Sequence, residues 1–252
     1  MVDINYHLDD PNNRRYSNTS LGTWSSISDV DAFFSRFNRN TIYKDGDTKL
    51  SVGNYIKIQD GTHNIEWEIA GFDLEHNQYA SDDTLYDNRY GICLIPKTYI
   101  GSYKWNDLSN SVAGAYNASL PHTTYLPTYA SNLQTVLGSH LIQRNVLLSN
   151  GVSNHISSGY VWTTAYATLM SVGQMTGTFG ANNNKYDDGE ASYKLPIFNT
   201  KSIKTGSVFW TRCVYGNYNS SSRRVFAIDA DGNVTSYAAS AFATYRPMIY
   251  LR

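Results

Sequence analysis

Val208-Phe209-Trp210-Thr211-Arg212 and Tyr245-Arg246-Pro247-Met248-Ile249-Tyr250-Leu251-Arg252 bracket the stretch whose pattern decides how this chain is read, residues 207–252. Both are short, apolar and aromatic, the composition of strands. Between them run Tyr215-Gly216-Asn217-Tyr218-Asn219-Ser220-Ser221-Ser222 and, after one apolar strand, Thr235-Ser236-Tyr237-Ala238-Ala239-Ser240-Ala241-Phe242-Ala243-Thr244. Neither run has a period that a core could use. Tyr offers amphipathic contact area at low rotamer cost, and Ser, Asn and Gly offer adaptable hydrogen bonding, which is the chemistry of a paratope. Ordinary surface loops favour the same small polar residues. The aromatic side chains tip the reading toward two rigid frames around a contact surface.

The 252 residues suffice for one large domain, or for a domain with an appended arm. A formal net charge of -1 gives no electrostatic footprint for nucleic acid. The final 52 residues are mildly basic, with Lys201, Lys204, Arg212, Arg223, Arg224, Arg246 and Arg252 against Asp229 and Asp231. Only 16% of residues are charged while 21 are Tyr, so Asn, Ser, Thr and Tyr carry the solubility, as on a wet, adhesive surface. No apolar run reaches the roughly 18–20 residues of a membrane span, and Met1-Val2-Asp3-Ile4-Asn5-Tyr6 does not read as a signal peptide. Cys93 and Cys213 sit among apolar neighbours and read as small buried thiols rather than a disulfide.

Residues 1–49 read as an arm carrying a helix, a linker or an attachment and oligomerisation segment, ahead of a domain over 50–252. Within the arm, the polar residues 1–22 have no pattern. The spacing of Val30, Phe33, Phe34 and Phe37 predicts a helix over 28–38, with Ser28 as N-cap and Asp29 and Asp31 in the first turn. Tyr55-Ile56-Lys57-Ile58 and Ile65-Glu66-Trp67-Glu68-Ile69 alternate about Asp60-Gly61, a hairpin signature. Gly91-Ile92-Cys93-Leu94-Ile95-Pro96 predicts a buried strand at a sheet edge, because Pro lacks the N–H a neighbour would use. Helices are expected over 109–118 and 127–137, the second ended by Gly138. Strands are expected over 141–148, 160–164, 195–198, 209–212, 224–229 and 233–234, with a hairpin turn at Asp231-Gly232. Residues 174–194 read as a long Gly- and Asn-rich loop. Short strands, a few helices and much loop make an α+β chain.

Little here has the spacing of reaction chemistry. Asp73, Glu75, Asp82, Asp83 and Asp87, or Asp187, Asp188 and Glu190, could offer oxygen ligands to calcium, but neither run has EF-hand spacing and solvated acidic loops are commoner. Trp105-Asn106-Asp107 matches a short calcium-ligand signature of sugar-binding lectins, yet lies mid-chain. The six His are scattered, Cys93 has no motif-level activating partner, and no nucleophile elbow, phosphate loop or dinucleotide fingerprint occurs. The expectation is a protein with no catalytic residues, no cofactor and no bound metal.

The series Ile65-Glu66-Trp67-Glu68-Ile69-Ala70-Gly71-Phe72-Asp73, Gly91-Ile92-Cys93-Leu94-Ile95-Pro96, Trp162-Thr163-Thr164, Leu195-Pro196-Ile197-Phe198, Phe209-Trp210-Thr211-Arg212 and Arg246-Pro247-Met248-Ile249-Tyr250-Leu251 resembles phage and prophage ligand-binding proteins of C-type-lectin fold. These relate to formylglycine-generating-enzyme-like domains. The resemblance spans about residues 50–252. Its C-terminal part is similar to the variable region of diversity-generating-retroelement proteins such as phage major tropism determinants. In such regions, mutation at adenines yields Asn, Tyr, Ser, Asp, Thr, Ala, Gly, Phe and Arg. Runs 215–224 and 235–244 use almost only that alphabet.

The resemblance implies a C-type-lectin-like scaffold that holds a diversifiable face. On this reading Trp210, Arg212, Arg246 and Pro247 are scaffold. Tyr215, Asn217, Tyr218, Asn219, Ser220, Ser221, Ser222, Arg223, Arg224, Thr235, Ser236, Tyr237, Ser240, Phe242 and Thr244 form the binding surface. The partner would be a host-cell surface protein or glycan receptor, met at a phage or prophage tail tip by a homo-oligomer such as a trimer, whose multivalency raises avidity. Cys93 and Cys213 depart from the paired cysteines of the enzymatic relatives, and the calcium-dependent sugar motif is missing from the C-terminal strands. The rival readings are a structural tail or baseplate component and a formylglycine-generating-like enzyme.

Overall fold

A computed structural model describes residues 16–37, 50–72, 91–107, 114–153, 156–177, 194–215 and 224–252. It contains mixed sheets with a few helices, an α+β arrangement. The first sheet runs in the order β1-β2-β3-β4-β13-β8. Its strands are β1 (Ser20–Trp24), β2 (Tyr55–Gln59), β3 (Asn64–Phe72), β4 (Ile92–Pro96), β13 (Pro247–Leu251) and β8 (Ala167–Leu169). The second sheet runs β11-β10-β9-β12-β5, from β11 (Val234–Ala238), β10 (Arg224–Ile228), β9 (Phe209–Tyr215), β12 (Phe242–Thr244) and β5 (Ser102–Lys104). A separate ribbon pairs β6 (Arg144–Ser153) with β7 (Ile156–Ala165).

The hairpin of β2 and β3 forms as its alternation predicts. Ile56 and Ile58 are buried while Tyr55, Lys57 and Gln59 are half-exposed, the period of two that a strand imposes. Its turn is held by Asp60, whose Oδ1 accepts the Thr62 N–H at 2.9 Å, and by Gly61 at φ 83°, where a side chain would be strained.

The N-cap of helix α1 (Ile27–Arg36) lies two residues before the expected one. Ser26 is the N-cap, and its N–H and hydroxyl both donate to Asp29 Oδ2, at 2.9 and 3.0 Å. An acid three residues after the cap reaches back to it; Ser28 has Asp31 at the same spacing, but Asp31 Oδ1 is paired with His140 Nε2 at 2.8 Å. Hydrogen bonds from the Ser25 backbone, then from Ser26, hold the Asp29 carboxyl below the usual carboxylate range. Residues 16–37 also pack into the body rather than stand apart as an arm. Trp24, Val30, Phe33 and Phe37 belong to the same buried cluster as Ile56 and Trp67, and β1 pairs parallel with β2. Residues 1–15 and 38–49 lie outside the described residues.

Three further expectations need correction. Gly91 to Pro96 does not form an edge strand; β4 lies inside the sheet, between β3 and β13. It can, because β13 pairs only with residues 92–94, so Pro96 lies past that ladder. Residues 195–198 form no strand. Pro196 opens a 3₁₀ turn, Pro196–Asn199, as Pro at a first helical position does, and the turn buries Ile197 and Phe198. Much of 235–244 is strand rather than loop, in β11 and β12. The 127–137 helix is found as α2 (Leu126–Leu137), with Gly138 at its C-cap and φ 54°. The 109–118 helix falls partly outside the described residues; its described end is a 3₁₀ turn, Tyr116–Ala118. Of the 174–194 loop, residues 178–193 lie outside, and its start belongs to α3 (Val172–Thr176).

The strand frame packs as its composition predicts. Trp210 is buried, meets Trp105 edge-on at 6.2 Å between ring centroids, and donates its indole N–H to the Tyr103 carbonyl at 3.0 Å. Arg212 and Arg246 are buried too. Cys93 and Cys213 are both buried thiols; the Cys213 sulfur accepts the Val172 N–H at 3.4 Å.

Trp210→Ala is expected to destabilise the protein by about 3–5 kcal/mol, the loss of a large buried ring plus the void it leaves. Chemical denaturation measures this. A loss under about 1 kcal/mol would contradict the frame.

Candidate functional site

Residues 207–252 supply four of the five strands of the second sheet. Its register runs Arg224 opposite Ala238, Val225 opposite Tyr237, Phe226 opposite Ser236 and Ala227 opposite Thr235. Tyr215 at the end of β9 pairs with Arg224, so the run 216–223 leaves from the sheet end where Ala238 also lies. Asn217, Tyr218, Asn219, Ser220, Ser221, Ser222 and Arg223 lie outside the described residues.

The remaining candidates do not share one face. Successive side chains of a strand point to opposite sides. Tyr237 accordingly packs against Trp210, edge-on at 6.3 Å between centroids. Ser236 turns the other way, to Arg224, whose Nε donates to the Ser236 hydroxyl at 3.0 Å and whose Nη2 also donates to the Ser236 carbonyl. Thr235 pairs beside Ala227 and is half-buried. Arg224 therefore already has partners on the edge strand β11. Thr244, across β9 on β12, donates its hydroxyl to the Val208 carbonyl at 2.7 Å and acts as a clasp between strands. Ser240 is half-buried in the turn between β11 and β12.

Phe242 stands apart. It is 68% exposed, on a strand paired on one side to β5, with the Lys104 ammonium 5.6 Å from its ring centroid. Lys104 in turn lies 3.8 Å from Asp107. A large apolar ring held in water by a paired strand is the pattern of an anchor awaiting a partner.

A cleft of about 180 Å³ was not foreseen from the sequence. It opens where the π-helical turn Pro121–Tyr125 and the first turns of α2 meet the residues around β6 and the junction of β7 with β8. His122, Gln143, Thr164 and Tyr166 line it together with Leu126 and Ala130. These residues are scattered over some forty-five positions and share no motif, so only the fold assembles them. Burial lowers the His122 imidazole below its ordinary value of 6.5, and its ring lies 5.3 Å from that of Tyr116.

Among the described residues, no three His, Cys, Asp or Glu side chains group as a metal site, and no helix is long and apolar enough to cross a membrane. The acidic runs considered as calcium ligands, 73–87 and 187–190, lie outside the described residues. No protein-family model, curated protein or solved structure matches the chain.

The His122 shift sets a pH dependence. A base whose folded value is lowered binds fewer protons folded than unfolded, so its stability is whole above pH 6.5 and falls as pH drops below it. Melting temperatures recorded from about pH 7.5 down to about pH 5.5, a span that straddles the histidine range, should fall more steeply for the natural chain than for His122→Gln. Parallel curves would contradict a buried, neutral His122.

Proposed function

We propose that this chain is a non-enzymatic binding protein whose recognition surface lies on the second sheet, around Phe242. The observation that carries the reading is the exposure of Phe242 on a paired strand, beside a frame whose aromatic rings are otherwise buried. Hot spots of binding surfaces concentrate in large aromatic and Arg side chains set among more neutral contacts. Small polar residues of the same stretch of sequence, Ser236, Ser240 and the Asn and Ser of 217–222, supply hydrogen bonds that adapt to different partners.

The finer reading follows the resemblance. The scaffold is C-type-lectin-like, the runs 215–224 and 235–244 are the diversifiable part, and the partner is a host-cell surface protein or glycan receptor. The setting is a phage or prophage tail tip, where a homo-oligomer presents several copies of one weak face. Strand pairing supports a division of labour. Residues that β9, β10 and β13 bury hold the frame, and exposed positions are those where substitution changes stability little.

Phe242→Ala should reduce retention of the purified protein on cells of the bacterium that hosts the gene at least tenfold, the effect of a hot spot worth about 2 kcal/mol. Its melting temperature should stay at the parent's, because an exposed substitution moves stability by only about 0.5 kcal/mol. Unchanged retention would remove Phe242 from the surface and return the structural tail component as the better reading.

A further inference from the structure

The cleft beside α2 has a chemistry of its own. Its walls are small: Ala130, Ala165 and Ala167 come together where larger side chains would fill the space, as protein interiors usually are filled. Four of the residues that line it have hydrogen-bonding side chains, His122, Gln143, Thr164 and Tyr166. Among the described residues, none of these four side chains has a hydrogen-bond partner. No Lys, Arg, Asp or Glu among the described residues lines the space.

The local backbone is unusual as well. Pro121–Tyr125 is a π-helical turn in which the Leu126 N–H bonds the Pro121 carbonyl, and it carries His122 to the rim. Such turns are rare and recur at functional sites, where the widened backbone re-aims a side chain. An apolar floor with a few convergent polar groups is the general form of a small-molecule site.

Size and charge narrow the ligand. A cavity of about 150 Å³ holds one benzene ring, so a space of about 180 Å³ takes a single six-membered ring with few substituents. An ion would enter without a counter-charge and lose its hydration. Gln143 and the hydroxyls both donate and accept, and a neutral imidazole does so through its two nitrogens. We propose that this cleft binds one uncharged six-membered ring with hydrogen-bond donors and acceptors along one edge and an apolar body against Ala130 and Leu126. A cyclic amide and a pyranose share that chemistry. The site is separate from the surface around Phe242 and stands whether or not that surface binds a receptor.

Methyl NMR of the full, alanine-labelled chain tests it, with uracil, methyl glucoside and benzoate titrated separately. The expected result is saturable shifts of the Ala130, Ala165 and Ala167 methyls with one or both neutral rings. The dissociation constant should be on the order of 1 mM, what so few heavy atoms attain. Which neutral ring binds distinguishes the amide from the sugar source, and benzoate should bind at least tenfold more weakly. Ala165→Leu, which fills the cleft, should abolish the shifts at the other two methyls. Gln143→Ala, an exposed rim change, should weaken binding at least threefold and remains readable if Ala165→Leu does not fold. Absence of saturable shifts with both neutral rings, benzoate binding as tightly, or undiminished binding by the rim variant would overturn the proposal.

Discussion

The buried guanidinium of Arg246 is the point on which the parts of this fold converge. Its Nε donates to the Pro96 carbonyl at 2.9 Å, its Nη2 lies 3.9 Å from Glu68, and its plane sits over the rings of Phe198 and Phe209 at 5.7 and 5.8 Å. One side chain thereby joins β3 and β4 of the first sheet, β9 of the second and the 3₁₀ turn at Pro196. Burial lowers the Arg246 pKa to about 10, with Glu68 opposing the fall, so the group stays charged at neutral pH. Glu68 is also bonded by Lys201, whose own pKa is lowered by burial, and by the Tyr16 hydroxyl at 3.4 Å. Buried charges of this kind contribute little net stability, but removing one partner leaves the other uncompensated and typically costs about 3–5 kcal/mol. The lock specifies which packing is allowed more than it strengthens it.

That constraint would let the surface proposed around Phe242 vary on a chain with so few charges. The aromatic frame around Trp210 and the Arg246 cluster fix the strands from inside. Side chains such as Phe242 and Ser240, outside the cluster, are released from packing duty. The division is imperfect: Tyr237 leans on Trp210, and Arg224 and Thr244 serve neighbouring strands. A surface built on strands spends alternate residues on the interior, so a compositional run cannot be a contact surface throughout.

Local signals were legible where one residue pair decides the structure. Asp60-Gly61 between alternating runs specifies its hairpin, and Gly138 ends its helix. The burial of Trp210 could be read because a large aromatic ring in a short apolar strand has few other places to go; Arg212 and Arg246 are marked as scaffold by the resemblance alone, since Arg is seldom buried. Signals failed where the deciding partner is distant in sequence. Pro96 reads as an edge residue until β13, some 150 positions later, pairs with residues 92–94 and leaves the Pro96 carbonyl to the Arg246 side chain. Pro196 could end a strand or open a turn, and the need to bury Ile197 and Phe198 together selects the turn. The cleft of His122 and Tyr166 has no sequence signal, because its residues come from separate elements and share only their packing.

The central claim is that residues 207–252 divide into a frame the fold cannot exchange and a surface it can. A saturation substitution scan read by resistance to proteolysis measures that division directly. The account predicts that Phe242 and Ser240 accept nearly every residue without loss of resistance, while Glu68, Arg212 and Arg246 accept almost none. Equal tolerance at both sets of positions, or intolerance at Phe242 and Ser240, would contradict it.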